Sequence, residues 1–227
     1  MINNALVNFC EKRYIYSNYI SEFYNTITGV IYIYIGFYWL IYLNYKNNFL
    51  NKLCYTSIFI GIGTILLHAT NNYYMELIDE ISMIFFIKLL LNIFENLNQE
   101  MYLINKISIF SIYLGIPVYL YNCSYLFFKN FFTFIVVISF INWYLIYLKL
   151  QQESEMDISN KINYNKPINK IKNIFKIFFI SKIIWLIEQN LCIYYQPLYI
   201  LHALWHLSTG YVIHLIIYFF YEIKDIW

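Results

Sequence analysis

Apolar runs of about 20 residues, the length that crosses a bilayer as a helix, recur along this chain. Short polar connections separate them. The runs cover 22–43, 53–71, 76–97, 103–121, 125–148, 172–192 and 197–220. The pattern predicts an all-α, polytopic membrane protein, a seven-transmembrane-helix bundle forming one domain over 1–227. Residues 1–21 form a pre-helix segment. Asn44 to Asn51 reads as a short Asn-rich turn. The stretch 149–171, KLQQESEMDISNKINYNKPINKI, is polar and is predicted to be a mobile cytosolic loop. No internal repeat is found at a fixed period. The first residues lack a basic segment followed by an apolar one, so no cleavable signal peptide is expected.

Basic residues set the expected orientation. Lys46 and Lys52, Lys106, the group Lys149, Lys161, Lys166, Lys170 and Lys172, and Lys224 all fall on one side of a seven-span chain. The connections near 72–75, 122–124 and 193–196 carry no Lys or Arg, and only Lys12 and Arg13 oppose the trend. The C-terminus is therefore expected in the cytosol and the N-terminus in a lumen or outside. Lys129 and Lys176 lie near span ends, where snorkelling suffices. Lys88 and Lys182 fall near mid-span, and for Lys88 a cavity wall or a partner carboxylate is the expectation.

Composition supports this picture. The chain is 61% hydrophobic and 12% charged, with a mean hydropathy of +0.53. The net charge of +2 gives no reason to expect nucleic-acid binding. The 26 Tyr and 20 Phe accompany abundant Ile, Asn and Lys, so the aromatic count reads as compositional bias.

The chemistry is concentrated in a few polar residues inside apolar runs, where they are costly and are functional candidates. His202 and His206 in LHALWHLSTG are four residues apart, on one face of a helix, and can grip one metal ion. His68 ends the second run and Asp79 opens the third. The span count puts all four at one membrane depth. Three neutral imidazoles are a familiar zinc set with a position left open for water, and Asp79 is placed to accept a proton or orient a histidine. Plain interhelical hydrogen bonding is the competing explanation. His214, two turns past His206, is read as such an interhelical partner. The absence of HExxH disfavours a zincin-type protease. None of the four cysteines forms a CxxC pair, which excludes a thiolate ribbon.

At these residues the sequence resembles the alkaline ceramidases, seven-span zinc hydrolases of a superfamily that includes the adiponectin-type receptors. Four blocks carry the resemblance in the family's order: EFYNTITGV from Glu22, GIGTILLHATNNYYMELIDEISMIF from Gly61, WLIEQNLC from Trp185 and LHALWHLSTGY from Leu201. The resemblance implies zinc bound by His68, His202 and His206, with Asp79 helping to activate water. It places a hydroxyl at Thr64, where the family has Ser, as a group that supports the zinc sphere or the oxyanion. By itself, a threonine in a membrane helix more often bonds to a carbonyl of its own helix.

The resemblance also implies a calcium site over Asn8, Phe9, Glu11, Arg13 and Glu22. Here the chain departs from the family: Asn8 stands for an Asp and Arg13 for an Asn, which removes a carboxylate and adds a cation. Arg13 pairing with Glu11 or Glu22 is the alternative to calcium. A bridge between Cys10 and Cys192 is implied as well, on the side where disulfides form. Cys54 is expected to be free. Glu188, where the family has Asp, is expected to make structural hydrogen bonds or to lie near the zinc site.

The implied activity is a zinc-dependent intramembrane amidase that splits a ceramide-like lipid into a fatty acid and a sphingoid base. Endoplasmic reticulum or Golgi is the family-level location. A lipid receptor or sensor on the same scaffold is the alternative, though the chain lacks the large soluble tail expected of one. A transporter is disfavoured by 6 Gly and 3 Pro, only Pro117 lying well inside a span.

Overall fold

The computed structural model describes residues 4–43, 48–156 and 163–223. The protein is all-α, as expected. Its helices are α1 (Phe23–Thr28), α2 (Val30–Tyr42), α3 (Asn48–Thr70), α4 (Tyr73–Leu97), α5 (Tyr102–Asn122), α6 (Tyr125–Met156), α7 (Asn165–Leu191) and α8 (Ile200–Ile223). Short 3₁₀ turns precede α5 (Gln99–Met101) and α8 (Gln196–Tyr199). Among the described residues the only β-type pairing is a bridge between Asn4 and Asn72.

Four of these elements, Asn48–Thr70, Gln99–Asn122, Tyr125–Met156 and Gln196–Ile223, are long and apolar enough to cross a membrane. The expected first span is two helices meeting at Gly29, each under 18 residues. The α4 and α7 sequences carry several charges: Glu76, Asp79, Glu80, Lys88 and Glu95 in one, five lysines and Glu188 in the other. The count of seven spans remains an expectation from hydropathy. Large apolar side chains such as Ile41, Phe59, Phe110, Leu126 and Ile183 lie 56–68% exposed, which suits surfaces that meet lipid rather than water.

The expected loop at 149–171 is mostly helix. From one side α6 continues to Met156, and from the other α7 starts at Asn165. Residues 157–162 lie outside the described residues, as do Lys46, Lys161 and Lys224. The cause is local. Gln, Glu and Lys are good helix formers despite being polar, and Leu150, Ile168, Ile171 and Ile174 supply a buried stripe at helical spacing. Of the expected turn Asn44–Asn51, the part from Asn48 onward is the first turn of α3.

The chain forms two compact units, Met1–Met83 with Ile174–Ile217, and Ile84–Asn173 with Tyr218–Trp227. In the first, α1 and α2 pack on α3. The buried stripe of α3 runs Leu50, Leu53, Cys54, Ser57, Ile60, Gly61, Thr64, Leu67, His68, at i, i+3, i+4 and i+7 spacing. Its last turn carries the polar members inward. Trp39 Nε1 donates to His214 Nδ1 at 3.1 Å, so His214 is the interhelical partner expected. The free Cys54 is fully buried.

The second unit is pinned by a buried amide network. Asn98 Nδ2 donates to Asn142 Oδ1 (3.0 Å), Asn105 Nδ2 donates to the same oxygen (3.0 Å), and Asn142 Nδ2 donates to Asn105 Oδ1 (2.7 Å). Trp143, Phe94, Phe219 and Phe220 stack beside it. Lys88 has its ammonium 4.5 Å from the Tyr113 ring centre and 5.4 Å from that of Phe85, so an aromatic wall takes the place of the carboxylate considered for it. In the first unit Lys182 lies 3.7 Å from the Trp185 ring centre.

Candidate functional site

Every candidate site residue belongs to the first unit. Helix α3 delivers Thr64 and His68 from its buried stripe. Helix α8 delivers His202 and His206, one turn apart on its buried face. Asn71, in the left-handed conformation at φ 51°, ends α3 and lets α4 turn back beside it. That return places Asp79 next to Thr64. A Cβ on Gly63 would sit 2.6 Å from the Asp79 Cα, so the absence of a side chain there sets the approach of α4.

The three histidines come together. Their ring centroids are 5.2 Å (His68–His202), 5.1 Å (His68–His206) and 4.7 Å (His202–His206) apart. One ligand nitrogen from each lies within 4.8 Å of the others. All three are at least 96% buried. Each Nδ1 faces an oxygen: His68 meets Glu22 Oε2 at 2.6 Å, His206 meets Thr28 Oγ1 at 3.0 Å, and His202 lies 3.8 Å from Glu188 Oε2. With Nδ1 so engaged in His68 and His206, Nε2 is the nitrogen left to those two rings for another partner. Phe9 packs over this cluster, its ring 4.5 Å from His68 and 4.4 Å from His202.

Thr64 donates its hydroxyl to Asp79 Oδ1 at 2.6 Å. It does not bond back to its own helix, the behaviour more common for threonine in a membrane helix. Both groups are buried, and Asp79 and His202 interact electrostatically.

The residues expected at a calcium site make the following contacts. Glu11 is buried and accepts the backbone N–H of Tyr24 (2.7 Å) and Asn25 (2.9 Å), capping the N-terminus of α1. Glu22 is taken by His68 and by the Asn25 amide (3.1 Å). Arg13 donates to Asn8 Oδ1 at 3.0 Å on the surface, and not to Glu11 or Glu22 as the alternative had it. Cys10 and Cys192 stand at disulfide distance, with Cα atoms 6.1 Å apart. Glu188 Oε1 accepts the Cys10 N–H at 3.2 Å, so this buried carboxylate touches both the cysteine pair and His202.

The roles of Glu22 and Thr28 beside His68 and His206 escaped the sequence reading. Both lie in the EFYNTITGV block, six residues apart at the two ends of α1, but nothing in the spacing ties them to histidines 46 and 178 positions away. Glu76 was also missed. It is fully buried, and its carboxylate accepts the N–H groups of Leu6 (2.6 Å) and Val7 (3.1 Å).

The donor set fits zinc. Three imidazoles converge in a buried site; an oxygen at the far nitrogen of His68 and of His206 fixes their tautomer and ring orientation, and the Glu188 carboxylate lies 3.8 Å from that of His202.

Comparison with known proteins agrees with this architecture. The ceramidase family model matches residues 2–224. The Dictyostelium discoideum protein dcd3A, by name an alkaline ceramidase, is 27% identical over 243 aligned residues, covering 91% of this chain and 82% of that protein. Alkaline ceramidase YPC1 of Saccharomyces cerevisiae is 32% identical over 84 residues, 36% of this chain and 26% of its own length. An alkaline ceramidase of Arabidopsis thaliana is 32% identical over 83 residues, 35% and 32% of the two chains. The chain belongs to the ceramidase family, and with it to the amide hydrolases.

Proposed function

We propose that this protein is a zinc-dependent membrane amidase that cleaves ceramide-type N-acyl sphingoid bases into a fatty acid and a sphingoid base. The names of the relatives support the substrate class. The observation that carries the zinc reading is the convergence of His68, His202 and His206, two of them held by an oxygen at Nδ1. These three residues would hold the ion. Zinc bound there supplies Lewis acidity toward the scissile carbonyl.

The chain's own groups do the rest. Asp79 is the proton carrier: it takes a proton from the attacking water and returns it to the leaving amine. Thr64 donates to Oδ1 of Asp79 and so leaves Oδ2 as the oxygen that handles the proton. Glu22 and Thr28 hold the rings of His68 and His206 in register, and the Glu188 carboxylate faces that of His202. Phe9 covers two of the histidines and keeps bulk water off them, which strengthens every charge interaction beneath it.

In the orientation we propose, the N-terminal segment and the histidine cluster face the lumen of the endoplasmic reticulum or Golgi. There the Cys10–Cys192 pair is held oxidised and fixes the segment that carries Phe9.

The test is hydrolysis of a ceramide panel by purified protein, read by mass spectrometry of both products. Turnover that disappears with a chelator and returns with zinc supports the proposal. Metal-independent turnover, or none with any ceramide, refutes it.

A further inference from the structure

The side chains of the five residues expected at a calcium site make contacts of their own. Glu11 is 3% exposed and accepts two backbone N–H groups at the start of α1, so its charge is already matched by the free amides of a helix N-terminus. Asn8 and Arg13 lie at the surface and bind each other. Phe9 turns its ring to His68 and His202. Glu22 turns one oxygen to His68.

Three oxygens nearby are buried without a partner, Ser21 Oγ, Glu22 Oε1 and Asn25 Oδ1. Calcium takes six to eight oxygens, commonly with several carboxylates among them. These three, only one of them a carboxylate oxygen, fall short of that set and suit a bridging water. A guanidinium five residues along from Asn8, hydrogen-bonded to its side-chain oxygen, adds a fixed positive charge that repels a second cation.

The segment also has no need of an ion to stay in place. Ala5 N–H donates to Asn71 O at 3.0 Å, Tyr14 N–H donates to Ser21 O at 2.8 Å, and Ser21 N–H donates to Ala69 O at 2.9 Å. Glu76 holds Leu6 and Val7, Glu188 holds Cys10, and the Tyr16 and Tyr199 hydroxyls bond at 3.3 Å. Tyr14 keeps a left-handed backbone at φ 60°, which a non-glycine residue sustains only where its surroundings impose it.

We infer that this chain is a calcium-independent member of its family, in which Arg13 with Asn8 and Glu11 with the α1 N-terminus replace the ion as the lock on the N-terminal segment. The inference turns on Asn8, Glu11 and Arg13 and stands whether or not the zinc reading does.

The experiment is radiolabelled-calcium equilibrium dialysis and thermal unfolding of the full-length protein in detergent, in chelator-resin-treated buffer with zinc held constant. No saturable uptake is expected up to about 1 mM calcium, and the unfolding midpoint should not move with calcium. The Asn8→Asp/Arg13→Asn variant, with Arg13→Asn alone as a second, should take up calcium and gain roughly 5 °C when saturated. Stoichiometric calcium binding by the unaltered protein, or a calcium-dependent rise in its midpoint, overturns the inference. Failure of both variants to bind calcium overturns the assignment of the block to Asn8 and Arg13.

Discussion

Thr64 and Asp79 meet across the α3–α4 contact, hydroxyl to carboxylate, at 2.6 Å. The pair is buried and one helical turn from His68. A carboxylate that must move a proton needs one oxygen fixed and the other available, and Thr64 provides that. Asp79→Asn should lower kcat by about 10²–10⁴ while zinc content stays near that of the unaltered protein. Thr64→Ser keeps the hydroxyl and should retain activity, whereas Thr64→Val should lose roughly tenfold or more. Equal activity of the Val and Ser variants would remove Thr64 from the account.

Gly63 is the spacer of this contact. An added Cβ would meet the Asp79 Cα at 2.6 Å and its backbone N at 2.7 Å, atoms that cannot swing aside. Gly63→Ala should therefore cost about 1–3 kcal/mol of stability by overpacking, read as a lower unfolding midpoint. It should also reduce kcat, because Asp79 is pushed from Thr64. A neutral result on both readouts would show that α4 yields more than the close packing suggests.

In the proposed function the oxygens near the imidazole Nδ1 atoms act on the metal rather than on the lipid. Glu22→Gln and Glu188→Gln should each weaken zinc affinity by about 10–100-fold, measured by competition with a chromophoric chelator. At saturating zinc most of the activity should return. Loss of activity with unchanged zinc affinity would assign these carboxylates to the substrate instead.

In the second unit, Asn142 joins Asn98 and Asn105 in a closed set of amide bonds. Asn142→Ala strands the buried Asn105 amide and removes one of the two bonds of the Asn98 amide, and should destabilise the protein by about 1–2 kcal/mol, seen in thermal unfolding. Zinc content should be unaffected.

The helical class, the histidines and Asp79 were legible because each signal is local: apolar runs of membrane length, an i, i+4 pair, and polar residues where hydrophobic ones are the rule. His214 was legible for the same reason. The misread parts depend on contacts distant in sequence. The Nδ1 partners of His68 and His206 come from α1, a short helix whose break at Gly29 the hydropathy of 22–43 conceals. The stretch 149–171 looked like a loop because its charge masked the buried Leu150, Ile168 and Ile171. Lys88 and Lys182 looked anomalous because the rings that receive them, Tyr113 and Trp185, leave no mark of their role among so many aromatics.

The most direct measurement of the central claim is zinc-edge X-ray absorption on purified protein, with metal content of His68→Ala, His202→Ala and His206→Ala beside it. The account predicts about one zinc per chain, bound mainly by imidazole nitrogen at roughly 2.0–2.1 Å, and loss of most of it in each variant. Absence of zinc from active protein, or a zinc signal unchanged by all three substitutions, would contradict it.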